Sequence, residues 1–178
     1  MRITGGLLRG RQVKAPGGSI RPAMDRMRES VFAVLGDLSG KSFLDVFSGS
    51  GIIALEAASR GAAYIEAVEI DPLKRKTLLE NAQISPVRIN CRFMPAELYI
   101  KRAKKPFDVI FCDPPFSYKY KWELIQSITG SALMAEGSIL LIHRPREDFC
   151  DSLPSNVILS DTREYGRSVV NFFTCSTD

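Results

Sequence analysis

The chain has 178 residues, 45% hydrophobic and 25% charged, enough for one globular domain that buries about two-thirds of its unfolded surface and too few for a second full domain. No apolar run is long enough to span a bilayer, and the start Met1-Arg2-Ile3-Thr4-Gly5 lacks the apolar core of a signal peptide, so a cytoplasmic, non-membrane protein is expected. The net charge is +4, yet residues 1–28 carry Arg2, Arg9, Arg11, Lys14, Arg21, Arg26 and Arg28 against Asp25 alone, an excess larger than that of the whole chain.

Such a basic arm suits a phosphate-rich partner, because each neutralised phosphate releases counterions. A solvated, partly disordered tail is the alternative. Beyond the arm, Met27, Val31, Phe32, Val34 and Leu35 give one apolar face to a helix over Asp25–Leu38. Ser42–Phe47 is a short apolar strand that runs into Ser48-Gly49-Ser50-Gly51, and Ile52–Arg60 continues as a helix that Gly61 can stop. Tyr64–Ile70 is a second strand, and Asp71-Pro72 caps and opens a helix to about Gln83. Strand Val87–Phe93, helix Ala96–Ala103, strand Phe107–Cys112, helix Lys121–Ala132 and strand Ser138–His143 follow. A helix between successive strands implies parallel pairing through crossovers. Val157–Leu159 and Val169–Thr174 are joined by a stretch too short for a crossover helix and should pair antiparallel. The expected fold is α/β, a mostly parallel sheet with helices on both faces and a last, antiparallel strand.

Cys91, Cys112, Cys150 and Cys175 are widely spaced and show no CxxC pairing, as reduced, mostly buried thiols do. His143 is the one histidine, and no group of residues has metal-ligand spacing, so no metal is expected and a Ser-His-Asp hydrolase is disfavoured.

Gly49-Ser50-Gly51-Ile52-Ile53-Ala54 lies between a strand and a helix, and Glu69 follows Gly49 by 20 residues, which alone would suit a dinucleotide. Asp45 changes the reading, because a carboxylate where the ligand's charged portion passes repels a pyrophosphate. It favours the ammonium and sulfonium of S-adenosylmethionine. Glycines admit the ligand close to the backbone, and Glu69 can accept from ribose hydroxyls. A turn-stabilising role for Asp45 and a surface role for Glu69 are the bland alternatives.

The strand Phe107–Cys112 ends in Asp113-Pro114-Pro115-Phe116, at the edge where ligands bind in open α/β sheets. The chain here resembles the amino-methyltransferases whose fourth strand ends in [DN]-P-P-[FYW]. An exocyclic amine is a poor nucleophile while its lone pair is delocalised. Acceptors for both N–H groups, the Asp113 side chain and the Pro114 carbonyl, would favour the pyramidal amine that attacks a methyl carbon. Two prolines fix the loop, and Phe116 offers a face for an extruded base. Cys112 invites comparison with thiolate attack on cytosine, but packing is the better reading.

Arg2-Ile3-Thr4-Gly5-Gly6, Arg9-Gly10-Arg11, Arg21-Pro22 and Asp25-Arg26-Met27-Arg28-Glu29-Ser30-Val31-Phe32, with the loops above and Tyr165-Gly166, make nearly the whole chain similar to the RsmD-type methyltransferases, which form N2-methylguanine in bacterial 16S ribosomal RNA. The resemblance implies the Rossmann-like class I methyltransferase sheet of seven strands and S-adenosylmethionine as donor. It divides the chain into an RNA-contacting arm, 1–28, and a methyltransferase domain, 29–178. Asp45, Phe47, Gly49, Gly51, Glu69, Ile70 and Ala96 would hold the cofactor, and Asp113, Pro114, Pro115 and Phe116 the target base. Arg9, Arg11, Arg21, Arg26 and Arg28 would engage RNA phosphates or the flipped nucleotide, within 16S ribosomal RNA or an assembling small subunit, and a monomer is expected. Two positions depart from the family pattern: Met94-Pro95-Ala96-Glu97 where an Asp or Asn commonly meets adenine, and Ala23 in place of threonine. Methylation of DNA adenine, another RNA or a protein glutamine amide, an NAD-dependent oxidoreductase, and a non-catalytic RNA-binding module are the competing functions. Deleting the arm is expected to weaken RNA binding far more than cofactor affinity.

Overall fold

Apolar runs that bury both faces form the middle of the sheet, as parallel strands under helices do. The computed structural model describes residues 1–15, 22–148 and 153–175. Arg21 and Cys150 lie outside them. Strands β1 (Ser42–Val46), β2 (Tyr64–Glu69), β3 (Ile89–Phe93), β4 (Val109–Cys112), β5 (Ile139–Pro145), β6 (Val157–Tyr165) and β7 (Ser168–Cys175) form one seven-stranded sheet in the order β3-β2-β1-β4-β5-β7-β6. β1 to β5 pair in parallel, and β7 runs antiparallel to both β5 and β6. β6 is longer than its apolar start suggested. It is an edge strand with mostly exposed side chains and a bulge between Leu159 and Asp161, so polar residues continue it without disturbing a core.

Successive residues of β1 feed opposite cores, since side chains alternate across a strand. Phe43 joins the cluster under α1 (Pro22–Leu35), α2 (Ile52–Ser59) and α3 (Pro72–Ala82), whereas Leu44 and Val46 join the one under α4 (Ala96–Arg102) and α5 (Lys121–Thr129). α1 starts three residues before the expected Asp25, with proline in its first turn, where a missing N–H is no loss. Asp71 caps α3 by accepting the Leu73 N–H at 2.9 Å.

All eight residues of α2 are buried, because residues 1–15 cover its outer face. Arg2 bridges antiparallel to Gln12, and Ile3 and Val13 enter the same core as Met27 and Leu55. Ser59 anchors the segment: its carbonyl accepts the Leu7 N–H at 2.7 Å, and its hydroxyl donates to the Gly5 carbonyl at 2.6 Å and accepts the Leu8 N–H at 2.8 Å. Gly6, at φ +76°, lies so close that a Cβ would stand 1.9 Å from the Ser59 carbonyl oxygen, which only glycine avoids. The disordered-tail reading therefore fails for residues 1–15, and the division at 28/29 falls inside α1.

Candidate active site

The register brings four strand ends to one rim. Val46 pairs with Val68 and with Cys112, and Cys112 with Ile142. Phe47, Glu69, Asp113 and His143 therefore follow side by side, at the β1/β4 switch point where connections leave in opposite directions. A cavity of about 1030 Å³ opens there, lined by the glycine loop, Glu69 and Ile70, the Asp113–Phe116 loop, and Met1, Met24 and Met27 of the N-terminal elements. This is at the upper end of small-molecule sites.

The chain turns sharply after β1. Phe47 adopts φ +64°, a left-handed conformation unfavourable for a bulky residue by roughly 1–3 kcal/mol, and the turn brings the Ser48 N–H to the Val68 carbonyl at 2.8 Å. Asp45 lies beneath, 1% exposed. Its Oδ2 accepts the Ser48 hydroxyl at 2.6 Å and the Ala54 N–H at 3.2 Å, while Oδ1 is buried with no partner among the described residues. Burial pushes this carboxyl up from 3.8 to about 7 against those two hydrogen bonds, and the Asp113 and Glu69 charges add to the rise. An unpartnered buried oxygen is unfavourable by about 1–3 kcal/mol, and a cationic or N–H group in the cavity would relieve it.

Glu69 is also buried. Oε2 accepts the Gly49 N–H at 2.7 Å and Oε1 the Asp71 N–H at 2.8 Å. Each oxygen keeps a lone pair for a ligand hydroxyl, so the carboxylate that fixes the glycine loop can also read a ribose. Gly51, at φ +81°, caps α2, and a Cβ there would lie 2.7 Å from the Leu78 side chain. Exposed Ile70 and buried Ala96 complete this end, where Pro95, Ala96 and Glu97 form the wall.

At the other end, the Asp113 N–H extends the ladder to the Val46 carbonyl at 3.2 Å. Asp113 Oδ1 meets His143 Nδ1 at 2.8 Å, and His143 Nε2 meets Ser168 Oγ at 2.9 Å. The Phe116 ring, 45% exposed, stands edge-on to the His143 ring at 5.4 Å. Burial, with Asp45 and Asp113 adding, holds the Cys112 thiol well above its ordinary value, so it is no thiolate nucleophile. Among the described residues no group of His, Cys, Asp and Glu could hold a metal ion, and no helix is long and apolar enough to cross a membrane.

The family model described as "Conserved hypothetical protein 95" matches residues 1–174. The chain is 30% identical over 159 residues to the Ribosomal RNA small subunit methyltransferase D of Escherichia coli strain K12, covering 88% of this chain and 80% of that protein. The chain belongs to this family, the RsmD-type methyltransferases. The solved structure of the E. coli protein yhhF superposes with a TM-score of 0.88 at 28% identity, covering 100% of this chain and 99% of that one. A hypothetical protein of Thermus thermophilus, TTHA0928, superposes at 0.81 with 29% identity, covering 97% and 98%.

In this RsmD-type chain Arg9, Arg11 and Arg26 are exposed, as RNA contacts require, and Arg21 lies outside the described residues. Arg28 differs from them: it is 1% exposed and turned inward, onto a buried network beside the cavity and not onto the surface of the arm. Nε donates to the fully buried Glu56 at 3.3 Å, and one terminal nitrogen to Asp25 at 2.6 Å and to the Arg2 carbonyl at 3.0 Å. Glu56 also accepts from the Thr4 N–H at 2.9 Å, the Thr4 hydroxyl at 3.0 Å and Arg60. Three of the five N–H donors of Arg28 are thereby held by protein partners, and the side chain borders the cavity and not the outer surface of the arm.

Two residues were missed. His143 read only as an isolated histidine, and Lys121 as an ordinary start of a helix. Lys121 is 3% exposed. Its ammonium donates to the carbonyls of Phe116 at 2.9 Å and Tyr118 at 2.5 Å and pairs with Asp148 at 2.8 Å, clamping the loop after the two prolines.

Proposed function

We propose that the chain transfers a methyl group from S-adenosylmethionine to the exocyclic N2 amine of a guanine in 16S ribosomal RNA, either free or in an assembling small subunit. The observation that carries the reading is one cavity walled by a buried carboxylate with a free oxygen, Asp45, and by the Asp113-Pro114-Pro115-Phe116 loop.

S-adenosylmethionine supplies an activated methyl on a sulfonium, together with an ammonium. Asp45 and Glu69 would hold its cationic portion and its ribose, with the Gly49–Gly51 loop, Phe47, Ile70 and Ala96 around them. Asp113 and the Pro114 carbonyl would accept the two N–H groups of the target amine, restoring nucleophilic character to its nitrogen. Phe116 would stack on the extruded base. Exposed Arg9, Arg11 and Arg26 would engage phosphates, so the phosphate-contacting part of residues 1–28 is their surface. The ribosomal substrate is supported by relatives named for the small-subunit RNA.

The test is methyl transfer from labelled cofactor to small ribosomal subunits, with free DNA and release-factor protein beside them, followed by nucleoside mass spectrometry. N2-methylguanine in the small-subunit RNA is expected. Labelling of DNA alone, or of a glutamine amide, would replace the substrate assignment.

A further inference from the structure

His143 is the chain's one histidine, and it is buried between the two functional residues of the catalytic loop. Its Nδ1 lies 2.8 Å from Asp113 Oδ1, its Nε2 lies 2.9 Å from Ser168 Oγ, and its ring packs against Phe116 at 5.4 Å. Ser168 sits at the start of β7, opposite Pro145 of β5, so the imidazole spans three adjacent strands.

A neutral imidazole has one N–H donor and one acceptor nitrogen. Ser168 has one hydroxyl proton and two acceptors in reach, His143 Nε2 at 2.9 Å and the Tyr165 carbonyl at 3.3 Å. A carboxylate oxygen only accepts, so the 2.8 Å contact to Asp113 Oδ1 needs the ring proton on Nδ1. Nε2 is then the acceptor, and the Ser168 hydroxyl, of its two choices, donates to this one.

We propose that His143 is a positioning residue for methyl transfer: held in its Nδ1–H tautomer by Ser168, it donates to Asp113 Oδ1 and fixes that carboxylate so that Oδ2 accepts the target amine. The inference rests on the amine-methylating reading of the site. Asp113 is 24% exposed at its side chain, and His143 is the hydrogen-bond partner of that side chain among the described residues. A carboxylate acceptor about 1 Å out of place can reduce turnover on the order of a hundredfold. The same ring supports the edge of Phe116, so the acceptor and the base platform share one support.

Two measurements test this. In untagged protein labelled with ¹⁵N-histidine, the single imidazole reports its own tautomer without assignment. Nδ1–H is expected, with a shift toward Nε2–H in Asp113→Ala. In turnover assays His143→Leu should lower kcat by about 10- to 100-fold, with S-adenosylhomocysteine affinity and RNA KM within about twofold. His143→Asn, whose amide nitrogen can occupy the Nδ1 position, should recover most of the loss, and His143→Gln should recover less. An Nε2–H tautomer in the wild type, or a folded His143→Leu with unchanged kcat, overturns the inference while the methyltransferase reading stands. A wild type that methylates none of the offered substrates sinks that reading and the positioning role with it.

Discussion

Asp45→Asn should stabilise the ligand-free protein and weaken its ligand, two effects of opposite sign from one atom's change. Raising a carboxyl from 3.8 to about 7 means that its charge is roughly 4 kcal/mol less favourable in the fold than in the unfolded chain. Asparagine removes that charge. Its carbonyl oxygen can still accept from Ser48 and Ala54, and its NH2 falls where Oδ1 lacks a partner, which returns about 1–3 kcal/mol of cost. The net expectation at pH 8 is about 1–3 kcal/mol of added stability, or a Tm higher by about 2–10 °C for a chain of this size. Because the folded carboxyl holds its proton to higher pH than the unfolded one, wild-type stability falls as pH rises from about 4 to about 7. The gap to the variant should open over that window and stay constant above it. Calorimetry with S-adenosylhomocysteine, which keeps the amino group, should show about 10- to 150-fold weaker binding, the value of a charge-assisted hydrogen bond of about 1.5–3 kcal/mol. A lower Tm for the variant at pH 8, or a gap that does not change between pH 4 and 7, would refute the reasoning.

Glu56→Ala strips the shared partner from two arginines and Thr4; urea unfolding should register about 3–5 kcal/mol lost, with amide protection at Thr4 gone, and an unchanged midpoint would show that the network holds nothing. Arg9→Ala with Arg11→Ala should reduce the salt slope of RNA binding by about 1.5 without altering cofactor affinity, whereas an unchanged slope would turn the RNA to another face. Phe116→Ala, at a 45% exposed position, should leave Tm nearly unchanged yet lower kcat/KM by about 5- to 150-fold, the worth of one base stacked on an aromatic ring, about 1–3 kcal/mol; equal kcat/KM would remove Phe116 as the base platform.

Asp45, Glu69 and Asp113 were legible because each sits at the carboxyl end of an apolar strand, where a polar residue breaks a buried pattern. His143 sits at such an end too. Its meaning required the strand order: β5 neighbours β4, and Asp113 and His143 each stand one step past the Cys112–Ile142 pair. Sequence order alone could not place a residue 30 positions away beside Asp113. The burial of Arg28 was not legible because nothing in sequence separates it from the other six basic residues of 1–28, and its neutraliser, Glu56, lies in a helix whose apolar neighbours hide its burial. Lys121 failed similarly, since a lysine opening a helix is ordinarily solvated, and only the folded proline loop turns two carbonyls onto it.

The expected separation of an RNA-binding arm from a cofactor-binding body does not match the packing. The Asn81 side chain, 1% exposed on α3, donates to the Lys14 carbonyl at 2.9 Å and the Ser50 carbonyl at 2.8 Å, and accepts the Lys14 N–H at 3.1 Å. One amide thus ties the N-terminal segment to the glycine loop, and Met1 lines the cavity itself. Deleting residues 1–15 would strip Ile3 and Val13 from the core over α2, leave Glu56 without Thr4, and release one of the two backbone segments that Asn81 joins. Cofactor affinity would then fall along with RNA affinity, for reasons unrelated to phosphate contacts. The two functions separate only at the level of side chains: exposed Arg9 and Arg11 can be removed without disturbing a buried partner, and the backbone that carries them cannot.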